Sequence, residues 1–189
     1  MPSPDLSLDL EPYGSPARSE WLDVDWAAHR RSVTVSGSRV NYVRMGEGPA
    51  VLFIHGLAGS WRNWLENIPH IARDHTAIAV DLPGFGESDP PQGEVCIAGY
   101  AAFVATFLEA LGVPQATLVG SSMGGLIAAA TAAATPDRVH SLVLVRVASH
   151  YEAAIPASRK AILPETGHAP MIERPAAFNR LLHSYLTAT

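Results

Sequence analysis

The sequence predicts an α/β fold: a mostly parallel, doubly wound sheet with helices on both faces. Short apolar runs alternate with helical patterns along most of the chain, which is the order that a parallel sheet with crossover helices requires. Several of these runs contain no polar residue, as is typical of strands buried on both faces. A hairpin pattern over residues 32–45 indicates an antiparallel edge before the parallel strands.

Composition limits the classes of protein to consider. The chain has 189 residues, of which 48% are hydrophobic and 16% charged, which suits one folded domain. A net charge of −5 disfavours binding to nucleic acid or to an anionic membrane. The single cysteine, Cys96, excludes an internal disulfide and a cysteine metal cluster. No metal or organic cofactor is implied.

The N-terminus lacks the basic and apolar regions of a signal peptide, and no apolar stretch is long enough to cross a bilayer. We therefore expect a cytoplasmic protein. Four prolines and few large apolar residues predict a mobile tail over residues 1–20, followed by a single core over residues 21–189.

The first predicted elements follow from local patterns. Residues 20–31 have acids early and bases late, which predicts a short helix. The β-rich runs 32–36 and 39–45 flank Gly37-Ser38, which predicts a hairpin. The wholly apolar run 51–54 predicts a buried strand.

Two further helices and a strand are expected before the middle of the chain. Ser60 is suited to cap a helix that ends near residue 70. A buried strand is predicted over residues 76–80, and an amphipathic helix over residues 97–111 that Gly112 ends.

The stretch 116–134 combines a strand, a small-residue turn and a helix. An apolar run precedes Gly-Ser-Ser-Met-Gly-Gly, and an alanine-rich run follows it. Gly-x-Ser-x-Gly alone is a weak signal, because most Gly/Ser clusters are ordinary turns. The flanking strand and helix make Ser122 the centre of a nucleophile elbow. Gly120 and Gly124 would leave room for so tight a turn.

The C-terminal part is short. The patterns predict a strand over residues 141–147, a short helix over 150–155, a last strand over 159–163, a loop over 165–170, and a final helix from 171 or 175 to 186. Three polar residues, His55, Asp81 and Ser122, come directly after predicted parallel strands. We expect them at the carboxyl edge of the sheet, where such folds bind ligands.

Four motifs occur in order over residues 20–186: His55-Gly56, the loop DLPGFGES that begins at Asp81, the elbow around Ser122, and Gly167-His168. Together they resemble the α/β-hydrolase superfamily, in particular its lid-bearing serine hydrolases.

The resemblance implies roles for individual residues. Ser122 is the nucleophile, because its hydroxyl attacks a carbonyl once a base accepts its proton. His168 is the matching base. The tetrahedral oxyanion needs two fixed N–H donors, which the resemblance assigns to the backbones of Leu57 and Met123.

Two neighbouring loops have supporting roles by the same resemblance. His55 and Gly56 hold the loop that provides the Leu57 amide. Asp81 orders its own glycine-rich turn and has no catalytic role.

The chain departs from the family at its lid and at the strand that carries the triad acid, which orients the histidine. The strand predicted over residues 141–147 runs directly into residues resembling the helix after that acid, which suggests an internal deletion. Glu165 and Glu152 are candidate substitute acids, although glutamates are most often exposed surface charges. If the last predicted strand took the missing strand's place, His168 would move by about 4.8 Å.

A serine at the elbow excludes relatives that open epoxides or remove halides, since those carry aspartate there. The implied activity is weak hydrolysis of a small-molecule acyl substrate of the carboxylic ester type. Carbon–carbon bond hydrolysis is a second possibility. A non-catalytic binding protein or a deletion relic is the alternative from another class, and its exposed apolar surface would favour self-association. A phosphate-binding glycine loop is absent from the sequence after the first strand.

Overall fold

A computed structural model describes residues 18–147, 154, 155, 158 and 160–188. Within these residues, six strands form one mixed sheet in the order β1-β2-β4-β3-β5-β6. The strands are β1 (Arg30–Val35), β2 (Ser38–Met45), β3 (Ala50–Ile54), β4 (Thr76–Val80), β5 (Ala116–Ser121) and β6 (Val139–Val145).

The sheet is antiparallel at one edge and parallel elsewhere. β1 and β2 form the predicted hairpin, and β2 also pairs antiparallel with β4. β4, β3, β5 and β6 are parallel neighbours. The predicted fold class is therefore confirmed, with four parallel strands beside an N-terminal hairpin.

Helices cover both faces of the sheet. The α-helices with both ends in the described part of the chain are α1 (Trp26–His29), α2 (Ile68–Ile71), α3 (Ile97–Ala110), α4 (Met123–Ala134), α5 (Pro170–Glu173) and α6 (Pro175–Ala188). The same residues include 3₁₀ turns at Glu20–Asp23, Trp61–Trp64 and Pro136–Arg138. Among the described residues, no helix has the length and apolar character needed to span a membrane.

The alternation of side chains along β3 explains the two layers, because successive residues of a strand face opposite sides. Leu52 and Ile54 pack in the core cluster that contains α3 and α4. Val51 and Phe53 pack in the cluster on the other face, with the Trp61–Trp64 turn, α2, α5 and α6.

The single helix predicted over residues 20–31 is wrong. A 3₁₀ turn occupies Glu20–Asp23, and the α1 helix starts anew because the Asp25 side chain accepts a hydrogen bond from the Ala27 amide. Strand β1 already begins at Arg30, since hairpin pairing with β2 outweighs local helix preference.

The helix predicted after Ser60 is likewise divided. Ser60 does cap a helical segment, and it forms a capping box with Asn63, but this segment is the 3₁₀ turn Trp61–Trp64. A separate short helix, α2, follows, with Pro69 in its first turn. Proline fits there because its missing N–H is not needed.

The last predicted strand is wrong over residues 160–163, which have no regular secondary structure. Ile162 is 71% exposed. A turn begins immediately afterwards, at Pro164, and the Leu163 carbonyl accepts the hydroxyl of Thr166 at 2.6 Å. The run is too short and too poor in buried side chains to add a strand beside β6. The predicted shift of His168 by one strand spacing required that strand, so it does not apply.

Several other predictions lie wholly or mostly outside the described residues. These are the N-terminal tail, of which residues 18–20 are described, the short helix over 150–155, of which 154 and 155 are described, and Glu152.

The C-terminal helices are attached to the core by a pair of buried asparagines. Asn67 Nδ2 donates to Asn179 Oδ1 at 2.7 Å and to the Met171 carbonyl at 3.2 Å. Asn179 Nδ2 in turn donates to the Glu66 carbonyl at 2.8 Å. Phe178 of α6 packs near Trp64, with ring centroids 6.4 Å apart. These contacts place α5 and α6 on the face of the sheet opposite α3 and α4.

Candidate active site

Strand β5 enters a strained turn at Ser122, and α4 begins at the next residue. Ser122 has φ 54° and ψ −119°, a conformation that costs a non-glycine residue about 1–3 kcal/mol. The Ser122 amide donates to the Val145 carbonyl at 2.9 Å, and the Ser122 carbonyl accepts the Gly125 amide at 2.9 Å. The predicted strand–turn–helix context is confirmed.

The two elbow glycines are required by close backbone approach. A Cβ atom on Gly120 would lie 2.2 Å from the Gly124 carbonyl oxygen. A Cβ atom on Gly124 would lie 2.2 Å from the Ile54 carbonyl oxygen. Any side chain at either position would therefore force β3, β5 and α4 apart.

The loop after β3 passes directly against Ser122. A Cβ atom on Gly56 would lie 3.2 Å from Ser122 Cβ and 3.8 Å from Ser122 Oγ. Among the described residues, the amides of Leu57 and Met123 donate no hydrogen bond. Two unpaired N–H groups thus belong to the residues that follow Gly56 and Ser122.

The His55 side chain connects the loop after β3 to the loop after β4. Its imidazole is completely buried. The Leu82 amide donates to Nε2 at 3.1 Å, so the ring proton is on Nδ1, which donates to the Gly56 carbonyl at 2.7 Å. Burial lowers the pKa of His55, although the Gly56 hydrogen bond and the charge of Asp81 act in the opposite direction. The ring is thus a neutral bridge between two loops.

Asp81 has a structural role, as predicted. Its buried carboxylate accepts the Trp61 amide at 2.7 Å, the Asn41 side-chain amide at 2.8 Å and the Glu87 amide at 2.9 Å. A Cβ atom on Gly86 would lie 2.2 Å from Asp81 Oδ2, so the turn wraps closely around the acid. These hydrogen bonds tie the loop after β4 to β2 and to the Trp61–Trp64 turn.

His168 lies on an exposed loop before α5. Its imidazole forms no hydrogen bond with a described residue, and neither does Ser122 Oγ. The structure therefore does not join the two side chains. Helix α5 does border the loop after β3, because Ile172 lines a cleft of about 450 Å³ together with Ala58 and Gly59.

Glu165, a candidate substitute for the triad acid, pairs with Arg174 and not with His168. Its carboxylate, 79% exposed, pairs with the buried Arg174 at 2.8 Å. The residue that sequence reasoning missed is Glu173, which accepts the Gly167 amide at 2.5 Å and the Ala169 amide at 2.8 Å. The sequence signal for Glu173 is an acid in the first turn of the helix that follows the His168 loop, because acids at that position accept hydrogen bonds from free N–H groups.

The chain matches the family model for the alpha/beta hydrolase fold over residues 49–158 and therefore belongs to that family. A dihydrolipoyllysine-residue acetyltransferase component of an acetoin cleaving system, from Cupriavidus necator, is 45% identical over 134 residues, which are 70% of this chain and 36% of that protein.

Solved structures agree on the fold. A predicted CIB-like hydrolase from Thermoplasma acidophilum has a TM-score of 0.76 at 22% identity, covering 85% of this chain and 98% of that one. A bacterial membrane phospholipase A, described as a virulence factor, has a TM-score of 0.61 at 35% identity, covering 82% and 50%. An epoxide hydrolase from Vigna radiata and a meta-cleavage product hydrolase also match, each with less than half of its own chain covered.

The chain spans only part of its curated relatives. It covers 36% of the Cupriavidus protein and 33% of a Mycobacterium tuberculosis protein that is 38% identical over 112 residues. Among the described residues, no group of three or more histidines, cysteines or acids is arranged to hold a metal ion.

Proposed function

We propose that the chain is a serine hydrolase of carboxylic ester-type acyl substrates, with Ser122 as nucleophile and His168 as general base. The main observation in support is the strained conformation of Ser122 next to the backbone of Gly56, with unpaired amides at Leu57 and Met123. Strain of this kind persists where the surrounding structure imposes it, which is typical of reactive residues.

The proposed reaction has two steps. Ser122 Oγ attacks the substrate carbonyl, His168 takes the hydroxyl proton, and the Leu57 and Met123 amides donate to the resulting oxyanion. The alcohol then leaves with the proton from His168, and the acyl group remains on Ser122. In the second step His168 takes a proton from water, which attacks the acyl carbon. The bond between that carbon and Ser122 Oγ then breaks, His168 returns the proton to Oγ, and the acid is released.

The expected activity is low. In serine proteases, replacement of the triad acid lowers kcat about 10⁴-fold. Glu165 is held by Arg174, and Glu152 lies outside the described residues. The cleft beside the oxyanion loop is open, so water is poorly excluded. Small esters with good leaving groups are the favoured substrates, since they depend least on a base and on a shaped pocket.

The identity of the elbow residue bears on the epoxide hydrolases among the similar proteins. By the family resemblance, epoxide opening needs a carboxylate at the elbow, and this chain has the hydroxyl of Ser122 there. The similarity to those enzymes therefore supports the fold and not their reaction.

A second candidate is hydrolysis of a carbon–carbon bond in a diketone-like substrate. The observation in its favour is the likeness to a meta-cleavage product hydrolase, CumD, at 32% identity and a TM-score of 0.58, over 63% of this chain and 45% of that one. A panel of activated esters and a vinylogous diketone substrate would separate the two reactions.

The direct test is covalent labelling with a fluorophosphonate probe, located by peptide mass spectrometry. We expect modification of Ser122, none in Ser122→Ala, and normal labelling in Ser121→Ala, the matched control at the adjacent, buried serine. A folded, monomeric protein that stays unlabelled would contradict the proposal and favour a non-catalytic binding protein of the same fold.

A further inference from the structure

We propose that Glu173 is a positioning residue that holds His168 in place for its role as base. This inference rests on the proposed function. It assigns a role to a residue that lies outside the nucleophile, base and oxyanion set.

The geometry is that of a clamp on the histidine loop. One carboxylate oxygen of Glu173 accepts the Gly167 amide at 2.5 Å, and the other accepts the Ala169 amide at 2.8 Å. The Ala169 amide belongs to the peptide plane that follows His168, and the Gly167 amide belongs to the residue before it, so one side chain holds the backbone on both sides of His168. A Cβ atom on Gly167 would lie 3.0 Å from the carboxylate, which shows how closely the loop folds over it.

The clamp is itself anchored to the core. Glu173 ends α5, and its own amide donates to the Ala169 carbonyl at 2.8 Å. Within the same helix, Met171 is buried and its carbonyl accepts the Asn67 side chain at 3.2 Å. Helix α5 therefore links the core, through Met171, to the backbone around His168, through Glu173. A strand leading into this loop would serve the same purpose, and residues 160–163 do not form one.

The charge of the clamp suits a base that becomes positive during reaction. The Gly167 and Ala169 amides lower the pKa of Glu173, and the charges of Arg146 and His168 act in the same direction. Glu173 is therefore a carboxylate near neutral pH. A nearby negative charge stabilises the imidazolium that forms when Ser122 loses its proton. Because the carboxylate bonds the backbone and not the ring, Glu173 acts through His168 and does not touch the substrate.

Two measurements on the full chain test this role. The first is amide hydrogen exchange at Gly167 and Ala169 by NMR, which needs no activity. The second is the fluorophosphonate reaction at Ser122, separated into probe affinity and maximum labelling rate. The variants are Glu173→Gln, which keeps one acceptor oxygen, and Glu173→Asp, which keeps the charge on a shorter side chain. Glu109→Gln is the control, since Glu109 is an exposed glutamate of α3, on the other face of the sheet.

In Glu173→Gln we expect faster exchange at Gly167 or Ala169 and a maximum labelling rate about 10²-fold lower, with probe affinity nearly unchanged. A displacement of about 1 Å in a reacting group has an effect of that size. Glu173→Asp should lie between Glu173→Gln and the wild type, whereas Glu109→Gln should match the wild type. If Glu173 only stabilised the fold, its variants would lower the melting temperature but would leave the maximum labelling rate and the probe affinity of the folded protein unchanged.

The remaining outcomes overturn the inference in distinguishable ways. Faster exchange with an unchanged labelling rate removes the positioning role and leaves the proposed function standing. Unchanged exchange in both Glu173 variants shows that this carboxylate does not hold the loop. Wild-type protein that fails to label at Ser122 overturns the proposed function, and the positioning role with it. If Glu173→Gln does not fold, Glu173→Asp provides the same comparison.

Discussion

The Leu82 amide donates a hydrogen bond to Nε2 of His55 across 3.1 Å, and this bond joins the loop after β4 to the loop after β3. The ring can accept this bond only while Nε2 carries no proton. The backbone that presents the Leu57 amide therefore depends on a neutral histidine.

Stability should fall as the pH drops below about 6.5. Burial lowers the pKa of His55 and of His70 in the folded chain, with Arg73 adding to the effect at His70. Below the unfolded value of about 6.5, the unfolded chain binds these protons and the folded chain does not, so acid favours unfolding. Urea unfolding at pH 7.5 and 5.5 measures the difference.

The matched variant is His55→Gln, whose side-chain amide extends as far as Nε2, offers an acceptor to the Leu82 amide and does not titrate. Its free energy of unfolding should depend less on pH than that of the wild type. Equal pH dependence in both proteins would show that His55 does not contribute.

Substitution of an elbow glycine should be strongly destabilising. In Gly124→Ala, the new Cβ would lie 2.2 Å from the Ile54 carbonyl oxygen, where neither backbone can move freely. We expect a loss of about 3 kcal/mol in the free energy of unfolding. The control is Gly93→Ala, because nothing lies within 4 Å of a Cβ atom there. Urea midpoints that fall equally in both variants would contradict the close approach.

Removal of the Asp81 carboxylate should also destabilise the fold. Asp81→Ala leaves the Trp61 and Glu87 amides without their acceptor. Buried donors without a partner cost about 1–3 kcal/mol each. We expect a loss of about 3 kcal/mol, measured by thermal and urea unfolding. Asp137→Ala, at an exposed position, should change stability by less than about 0.5 kcal/mol.

The Asn67–Asn179 pair should control docking of the C-terminal helices. Asn179→Ala removes the acceptor of Asn67 Nδ2 and the donor to the Glu66 carbonyl. We expect about 2 kcal/mol lower stability and faster proteolysis within α6, detected by mass spectrometry. Ser184→Ala on the exposed face of the same helix is the control. Unchanged proteolysis in Asn179→Ala would show that packing alone holds the helix.

Prediction from sequence was accurate where one local pattern determines the structure. β4 has the predicted bounds, Thr76–Val80, because an uninterrupted apolar run has one favourable location in a parallel sheet. The strand, turn and helix around Ser122 are predictable because the glycine spacing and the flanking apolar and alanine-rich runs agree.

The errors occurred where distant contacts decide between local alternatives. Pairing with β2 converts Arg30 and Arg31 from predicted helix to strand. Residues 160–163 are β-compatible but remain outside the sheet. An acid in the first turn of α5 indicates that Glu173 pairs with free amides, but the sequence does not show that those amides belong to Gly167 and Ala169.

The asparagine-mediated attachment of α5 and α6 has a consequence for heat inactivation. Ser122 directly follows β5 of the central sheet, whereas His168 lies on the loop before α5, a helix that contacts the core through Asn67 and Met171. Contacts of this size open locally at lower free energy than a central sheet. On warming, His168 would separate from Ser122 while the sheet is still folded. Labelling of Ser122 by the fluorophosphonate probe would then be lost several degrees below the temperature at which the far-ultraviolet circular dichroism signal of the sheet is lost.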